Sequence, residues 1–214
     1  MSSDAYFETR LAPNVARTQV WRHVTQYLGK YVAADGDLLD LAAGYADFAG
    51  FATARRKVAM DITPDLAALV PAGVEPVVGD CTDLSQFADN EFATVLASNF
   101  FEHLTWDQLP DTLEQVRRVL RPDGRLLVIQ PNFRLSPSRY FDDYTHRTIF
   151  TDQSLVDFLT VSGYSIERLE ARFLPLSLKS NLSFGHRLVP LYLRLPFRPL
   201  AGQMLVVASP RKQA

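Results

Sequence analysis

The most constraining feature of this chain is a short apolar run that ends in a carboxylate and enters a turn of small residues. Residues 38–47 read LLDLAAGYAD, so the run ends at Asp40 and the turn occupies residues 42–44. A strand, a tight small-residue turn and a helix follow one another in this order in α/β domains that hold nucleotide-like ligands. We therefore predict a strand at 38–41 and a helix that begins near Asp47.

Further apolar runs recur at the spacing of a β–α repeat. They predict six more strands, at residues 57–60, 76–79, 92–98, 126–130, 164–173 and 203–208. Most of these runs are continuous rather than alternating, which is typical of strands buried on both faces of a parallel sheet. The chain is thus predicted to form a doubly wound, mostly parallel seven-stranded α/β fold.

The segments between and around these strands complete the predicted organisation. Apolar residues at helical spacing predict a lead-in helix within residues 13–32, and helices at 65–70, 107–120 and 151–163. Residues 132–150 are predicted to be a loop over the strand ends, and about 30 residues between strands six and seven a cap. We predict one domain, 1–214, with a lead-in helix and possible ligand cap (1–34), a cofactor-binding half (35–131) and an acceptor-side half (132–214).

Composition narrows the choice of function. The net charge of −2 over 214 residues gives no basic excess for binding nucleic acid. Cys81 is the only cysteine, which excludes an internal disulfide and fits a reducing compartment. The first residues lack the pattern of a signal peptide, and no run approaches the roughly 20 apolar residues that span a bilayer. These features predict a cytoplasmic protein.

Polar side chains end four successive predicted strands, and they are Asp40, Asp61, Asp80 and Asn99. One such aspartate could be only a helix cap, but ligands of open α/β sheets bind outside the carboxyl ends of the strands. A dinucleotide needs a glycine-rich turn near its pyrophosphate, and a carboxylate there would repel it. A nicotinamide-dependent oxidoreductase is therefore the weaker alternative. A ligand with a cationic amine, a ribose and an adenine fits better, and S-adenosylmethionine is such a ligand.

Over roughly residues 35–210 the chain resembles the class I S-adenosylmethionine-dependent methyltransferases. The resemblance is carried by LLDLAAGYADFAG, VAMD, VVGDCTDL, ASNFFEHL and RVLRPDGRLLVIQPN. That family usually has D-x-G-x-G-x-G in the first piece, and here Ala42 and Ala46 stand at two of the glycine positions. The resemblance implies a Rossmann-like fold, methyltransferase activity and S-adenosylmethionine as the cofactor.

The same resemblance implies which residues contact the cofactor. Asp61 would hold the ribose hydroxyls, and Asp80 would contact the adenine amino group with Cys81 beside the ring. The remaining contacts would face the methionine part of the cofactor, and they come from Asp40, Ala42, Gly44 and Asn99.

Candidates for the acceptor side follow strands four and five. A hydroxyl acceptor needs a base and must lie about 3 Å from the methyl carbon. Glu102 and His103 follow strand four, and Asp143 could orient His146 as a base if that segment turns helically. Alternatively, His103 makes only local hydrogen bonds and the segment around His146 is a loop held by ion pairs and aromatic packing.

A metal is not predicted at this place. A subset of O-methyltransferases that resemble this chain has Glu-x-x-Glu-His here as a metal site. Asn99 stands where the first glutamate would be. We therefore predict no metal ligands.

Two further resemblances concern the acceptor. Residues 131–134, 141–146 and 191–196 resemble a methyltransferase subgroup associated with polysaccharide or glycolipid assembly, which implies a sugar, glycan or other small-molecule hydroxyl as acceptor. A cofactor-binding module without catalysis, in a glycan-assembly complex, is the alternative. Residues 188–200 mix apolar residues with arginine and proline. They either pack as a cap or contact a membrane surface or a lipid-linked acceptor.

Overall fold

The computed structural model describes residues 14–176 and 185–211, with the side chains of 185 and 186 left undescribed. Its strands are β1 (Asp37–Leu41), β2 (Arg56–Asp61), β3 (Glu75–Val78), β4 (Phe92–Ser98), β5 (Leu120–Pro131), β6 (Tyr164–Glu170) and β7 (Gln203–Pro210). The α-helices of this part of the chain are α1 (Val15–Leu28), α2 (Asp47–Phe51), α3 (Leu66–Leu69), α4 (Gln108–Val119), α5 (Asp152–Val161) and α6 (Val189–Arg194).

All seven strands belong to one sheet, with the order β3-β2-β1-β4-β5-β7-β6. Strands β1 to β5 pair in parallel, and β7 is antiparallel to both β5 and β6. From β1 the chain builds outward to β2 and β3 on one side and then crosses to β4 on the other. The reversal of strand order therefore falls between β1 and β4, which is where ligands bind in sheets of this kind.

Helices cover both faces of the sheet, as the sequence predicts. Leu113 of α4 and Leu155 of α5 belong to one buried apolar layer, and Val20 of α1, Phe48 of α2 and Leu193 of α6 belong to the other. The continuous apolar runs of the central strands are explained by these two layers, because each strand buries both of its faces. The third strand differs from this expectation, since β3 is an edge strand with mostly exposed residues.

Capping side chains set the first residue of two helices, α1 and α5. The lead-in helix α1 begins at Val15 because the Asn14 side chain accepts hydrogen bonds from the N–H groups of Ala16 and Arg17. The polar segment that was expected to be a possible ligand cap lies largely outside the described residues. At the start of α5, Thr151 is the N-cap and exchanges hydrogen bonds with Ser154 in a capping box.

Residues 121–124 also belong to β5, so the expected start of that strand at residue 126 was wrong. Leu120 pairs with Phe92, and the next pair along the ladder joins Arg125 with Thr94. The four intervening residues therefore bulge out while the pairing of β4 with β5 continues on both sides of them. A turn signal and a bulge signal look alike in sequence, because both rely on glycine and proline.

The segment between β6 and β7 is held down by a buried ion pair. The guanidinium of Arg198 lies 2.5 Å from Glu170 Oε2 and donates to the carbonyl oxygen of Leu193 at 2.7 Å. The Tyr27 hydroxyl donates to Glu170 Oε1 at 2.7 Å. Burial acts to raise the pKa of Glu170, but the hydrogen bonds from Arg198 and Tyr27 outweigh it and the pKa is lowered. The pair therefore joins α1, β6 and α6.

Arg198→Ala is expected to lower the free energy of unfolding by about 2–4 kcal/mol, because it leaves the buried Glu170 carboxylate with Arg168, at 3.2 Å and half exposed, as its only cation among the described residues. The matched control is Arg125→Ala, whose partner Glu167 on β6 lies at 2.8 Å in an exposed pair. That change should cost at most about 1 kcal/mol. Urea unfolding of both variants measures the difference, and equal losses would contradict the prediction.

Candidate active site

The polar strand ends that the sequence singles out meet at one edge of the sheet. Leu41 at the end of β1 pairs with Met60 in β2 and with Ala97 in β4. The next residue in each neighbouring strand is therefore level with the start of the small-residue turn after β1, which we call the first turn (residues 42–46). In β2 that residue is Asp61. Asp61 pairs in turn with Val78 of β3, so that the chain reaches Asp80 two residues beyond the same level.

Asp61 ties the first turn to the end of β2. Its Oδ2 accepts the N–H of Gly44 at 2.9 Å, and its Oδ1 accepts the N–H of Thr63 at 3.0 Å. The N–H of Ala43 donates to the carbonyl oxygen of Met60 at 3.0 Å. A carboxylate held in this way by backbone amides presents a fixed group of acceptors, which suits the hydroxyls of a ribose.

Asp40 lies beneath the turn rather than on its surface. Its side chain is buried, and Oδ2 accepts the N–H of Ala49 in α2 at 3.2 Å. Burial and, to a smaller extent, the charges of Asp47 and Asp61 raise the pKa of Asp40 to about 8, against the opposing effect of that hydrogen bond. A cationic ligand would favour the ionised form. The contact of Asp40 with a methionine group stays a prediction.

The turn itself adopts a backbone conformation that favours glycine. Ala42, Gly44 and Ala46 have φ angles of 55°, 56° and 51°. A non-glycine residue pays roughly 1–2 kcal/mol for this left-handed region. Ala42 and Ala46 stand at positions where the resemblance places glycine, so the local geometry is kept despite the substitutions.

The other predicted cofactor residues surround the same edge. Asp80 is exposed and accepts the N–H of Thr82 at 2.9 Å. Cys81 is buried beside β2, and burial raises the pKa of its thiol well above the ordinary value, so the thiol stays protonated. Asn99 has a φ of 50°, and its Oδ1 accepts a hydrogen bond from Gln203 Nε2 at 2.9 Å. Gln203 was missed in the sequence, because only the antiparallel return of β7 brings it to this edge.

The structure brings together two histidines that are far apart in the chain. The rings of His103 and His146 lie 5.1 Å apart between centroids. Nδ1 of His146 lies 2.7 Å from the carbonyl oxygen of Tyr140. A carbonyl oxygen can only accept, so Nδ1 carries the proton, and in the neutral ring Nε2 is the basic nitrogen.

His103 is oriented by a short relay. Its Nδ1 lies 3.0 Å from the Thr145 hydroxyl, which donates to Asp143 Oδ1 at 2.5 Å. Burial, together with the neighbouring His146, lowers the pKa of His103 to about 4, so the ring is neutral at physiological pH. Asp143 is thus linked through Thr145 to His103, whereas its expected role in orienting His146 stays a prediction.

Glu102, also a candidate from the sequence, is the most deeply buried member of this group. It is 0% exposed, and neither of its carboxylate oxygens has a hydrogen-bond partner among the described residues. Burial raises its pKa to about 8, so the side chain carries a proton at neutral pH. Its backbone carbonyl accepts the N–H groups of Arg147 and Thr148 at 2.8 and 3.1 Å, which fixes the loop that carries His146.

The same group bears on metal binding. Glu102, His103 and His146 each offer one potential ligand atom, and these atoms lie within 4.8 Å of one another. Three such ligands could hold a divalent cation of the zinc or manganese type. The absence of metal ligands, which the sequence predicts from Asn99, stays a prediction.

Comparison with known proteins agrees with this geometry. Residues 39–128 match the family model described as a methyltransferase domain. The fold is that of the class I methyltransferases. A S-adenosylmethionine-dependent methyltransferase from Archaeoglobus fulgidus superimposes with a TM-score of 0.70 at 18% identity, covering 98% of this chain and 100% of that chain.

Two further relatives extend the comparison. A 1,6-didemethyltoxoflavin-N1-methyltransferase from Burkholderia thailandensis, solved with bound 1,6-didemethyltoxoflavin and S-adenosylhomocysteine, has a TM-score of 0.66 at 20% identity, covering 98% of this chain and 85% of that one. A curated ubiquinone/menaquinone biosynthesis C-methyltransferase from Dinoroseobacter shibae is 34% identical over 106 residues, which are 44% of this chain and 41% of the relative. The chain thus matches less than half the length of that relative. These matches support S-adenosylmethionine as the cofactor and give no support to a polysaccharide subgroup.

Ala42→Gly is expected to leave the free energy of unfolding unchanged or to raise it by up to about 1 kcal/mol. Relief of the left-handed backbone exceeds or balances the extra chain entropy of glycine in the unfolded state. The control is Ala68→Gly, on the exposed side of α3, which should lose about 0.5–1 kcal/mol. Thermal and urea unfolding compare the two, and an equal loss in both variants would count against a strained turn.

Glu102→Gln is expected to flatten the pH dependence of stability. Between pH 4.5 and about 8 the unfolded chain ionises Glu102 while the folded chain keeps its proton, so wild-type stability falls as the pH rises through this window. The slope for one proton is at most about 1.4 kcal/mol per pH unit. Glutamine cannot titrate, so the stability difference between wild type and variant should shrink or reverse from pH 5 to pH 8.

The control for this pH series is Glu75→Gln. A hydrogen bond from Arg56 lowers the pKa of Glu75, so its contribution to stability is lost only below the ordinary range of a glutamate. The difference between wild type and Glu75→Gln should therefore be constant from pH 5 to pH 8. A constant difference for Glu102→Gln as well would show that Glu102 ionises at the same pH in both states.

Proposed function

We propose that this protein is a S-adenosylmethionine-dependent methyltransferase that methylates a hydroxyl of a sugar, a glycan or another small molecule. The observation that carries the proposal is the position of the His103–His146 pair. It follows β4 on the edge of the sheet that also holds Asp61 and the first turn, on either side of the reversal in strand order. A methyl donor and a base would thus share one edge.

The first turn suits a cofactor without phosphate. Its amides are already engaged, since the N–H of Gly44 donates to Asp61 and the N–H of Ala43 to β2. The methyl groups of Ala42 and Ala46 would hinder a pyrophosphate, which needs bare backbone amides. S-adenosylmethionine brings a sulfonium and an amine instead, and the acidic groups of Asp40 and Asp61 lie beside this turn.

The proposed reaction is a direct displacement. The acceptor oxygen attacks the methyl carbon of the cofactor, the carbon–sulfur bond breaks, and the sulfonium becomes the neutral thioether of S-adenosylhomocysteine. Nε2 of His146 takes the proton of the acceptor hydroxyl, since Nδ1 is held by the Tyr140 carbonyl. The neutral ring of His103 and the protonated Glu102 beside it leave the pair without a second cation to repel the new imidazolium.

Two other outcomes remain open to test. Transfer to carbon is a second candidate, because the curated relative from Dinoroseobacter shibae is a C-methyltransferase. A cofactor-binding module without catalysis is a third, because the left-handed Ala42 and Ala46 depart from the usual glycines. Transfer to carbon differs from the proposed reaction in the atom that carries the new methyl group. A non-catalytic module would give no methylated product at all.

The proposed function is tested first by cofactor binding and then by methyl transfer. Asp61→Asn is expected to weaken binding of S-adenosylhomocysteine in calorimetry by about 10- to 100-fold, because it removes a charge-assisted hydrogen bond to the ribose. Asp65→Asn, an exposed neighbour just before α3, should bind as the wild type does. No binding to the wild type at all would refute the proposed cofactor.

For methyl transfer, the protein is incubated with ¹³C-methyl-labelled S-adenosylmethionine and a fractionated cell extract. His146→Ala should lower product formation by about 10²- to 10⁴-fold and leave cofactor affinity unchanged. His23→Ala, on α1, should have no effect. The ¹³C chemical shift of the product separates a methyl ether from a methyl group on carbon, and binding without product would favour the non-catalytic module.

A further inference from the structure

Helix α6 is apolar on both of its faces. Val189, Tyr192 and Leu193 pack on the inner side against the apolar layer that also contains α1. Leu188 and Leu191 lie on the outer side, where each is 62% exposed, and Leu195, the residue after the helix, is 37% exposed. Leu188 is the N-cap and Leu191 is three residues further on, so these two leucines share one helical face. A surface helix normally has polar residues on its outer face, so these exposed leucines are unusual.

Two more apolar side chains extend this face. Phe197 is 63% exposed and Leu200 is 87% exposed. Leu200 also has a φ of 57°, in the region that favours glycine, so a leucine is costly there and its side chain gains no packing within the fold. We call this set of side chains the apolar patch, and it consists of Leu188, Leu191, Leu195, Phe197 and Leu200.

The charge around the apolar patch has one sign. From Ala171 to the last residue the sequence has no Asp or Glu, and its seven charged residues are all Lys or Arg. Arg187 and Arg194 are exposed within this stretch, and the Arg172 guanidinium lies 4.5 Å from the centre of the Phe197 ring. The whole chain has a net charge of −2, so this positive charge is local.

Buried hydrogen bonds and an ion pair fix the chain segment that carries the apolar patch. Arg198 lies between its last two members and is committed to the buried pair with Glu170 and to the Leu193 carbonyl. The Tyr192 hydroxyl donates to the carbonyl oxygen of Pro199 at 3.0 Å. The exposed side chains are thus held outward by buried contacts on the other side of the same segment.

We propose that the apolar patch, with Arg187 and Arg194 beside it, docks on the surface of an anionic lipid bilayer. Apolar side chains would enter the boundary between headgroups and acyl chains, and the arginines would meet the lipid phosphates. A two-fold contact with a second copy would instead bring like-charged arginines together. No helix in the described residues is long and apolar enough to cross a bilayer. This surface lies beyond the proposed methyl transfer, and its binding requires neither cofactor nor acceptor.

The test is sedimentation of the protein with phosphatidylcholine vesicles that contain or lack phosphatidylglycerol. Binding is expected to the mixed vesicles, and it should weaken as salt is added. Leu200→Gly should lower the partition coefficient by about tenfold, because it removes one inserted leucine while relieving the left-handed backbone. Arg194→Gln should lower it about fivefold on the mixed vesicles and leave binding to phosphatidylcholine unchanged.

The control is Val161→Ser, at the end of α5, on the opposite face of the sheet. Val161 is 80% exposed, so the change removes equally exposed apolar surface away from the apolar patch and should not alter vesicle binding. Absence of binding to mixed vesicles, or equal binding by all variants, would overturn the proposal. So would a dimer in light scattering that Leu191→Ser dissociates, since a second copy would then cover the patch. None of these outcomes affects the cofactor titration, so the two proposals fail separately.

Discussion

The candidate site depends on the carboxylate of Asp61 holding the first turn in place. Ala42 and Ala46 both occupy the left-handed region, and a turn with two such residues would relax if nothing held it. Asp61 binds the amide of Gly44 between them, and Asp40 binds the amide of Ala49 just beyond them. The two carboxylates act from neighbouring strands, so the parallel pairing of β1 with β2 fixes the turn. The edge is therefore organised before any ligand arrives.

The acceptor side is organised by backbone groups in the same way. The carbonyl oxygen of Glu102 accepts two amides of the loop after β5, and the carbonyl oxygen of Tyr140 orients the ring of His146. Burial then sets the charge states, because it keeps His103 neutral and Glu102 protonated. In the proposed reaction a positive sulfonium would thus meet a base without a second positive group beside it. Removing that base leaves the turn around Asp61 untouched, since no described hydrogen bond joins the two groups.

The sequence predicts the parts of this arrangement that rest on burial. The run at 92–98 is β4 to the residue, and that at 38–41 differs from β1 by one residue, because both strands bury both faces. Asp61 could be placed at its edge because parallel strands end together. Three features could not be predicted from the sequence, because each depends on strand register or on a main-chain atom. They are the bulge at 121–124, the contact of Gln203 with Asn99, and the contact of the Tyr140 carbonyl oxygen with His146. Glu102 was a candidate from its position after β4, but its burial could not be predicted, since an unpaired buried carboxylate looks in sequence like any surface glutamate.

The apolar patch and the candidate site are joined by a short, tightly packed piece of chain. Two residues separate Leu200 from Gln203, and an extended chain spans these three residue steps in at most about 11 Å. This link is tightly packed, because a Cβ on Gly202 would lie 2.6 Å from Ser136 Oγ and 2.7 Å from Leu176 Cβ. Gln203 in turn holds Asn99, at the predicted methionine side of the cofactor. A bilayer beneath the apolar patch would therefore bring an acceptor in or on the lipid to the edge that holds the histidine pair.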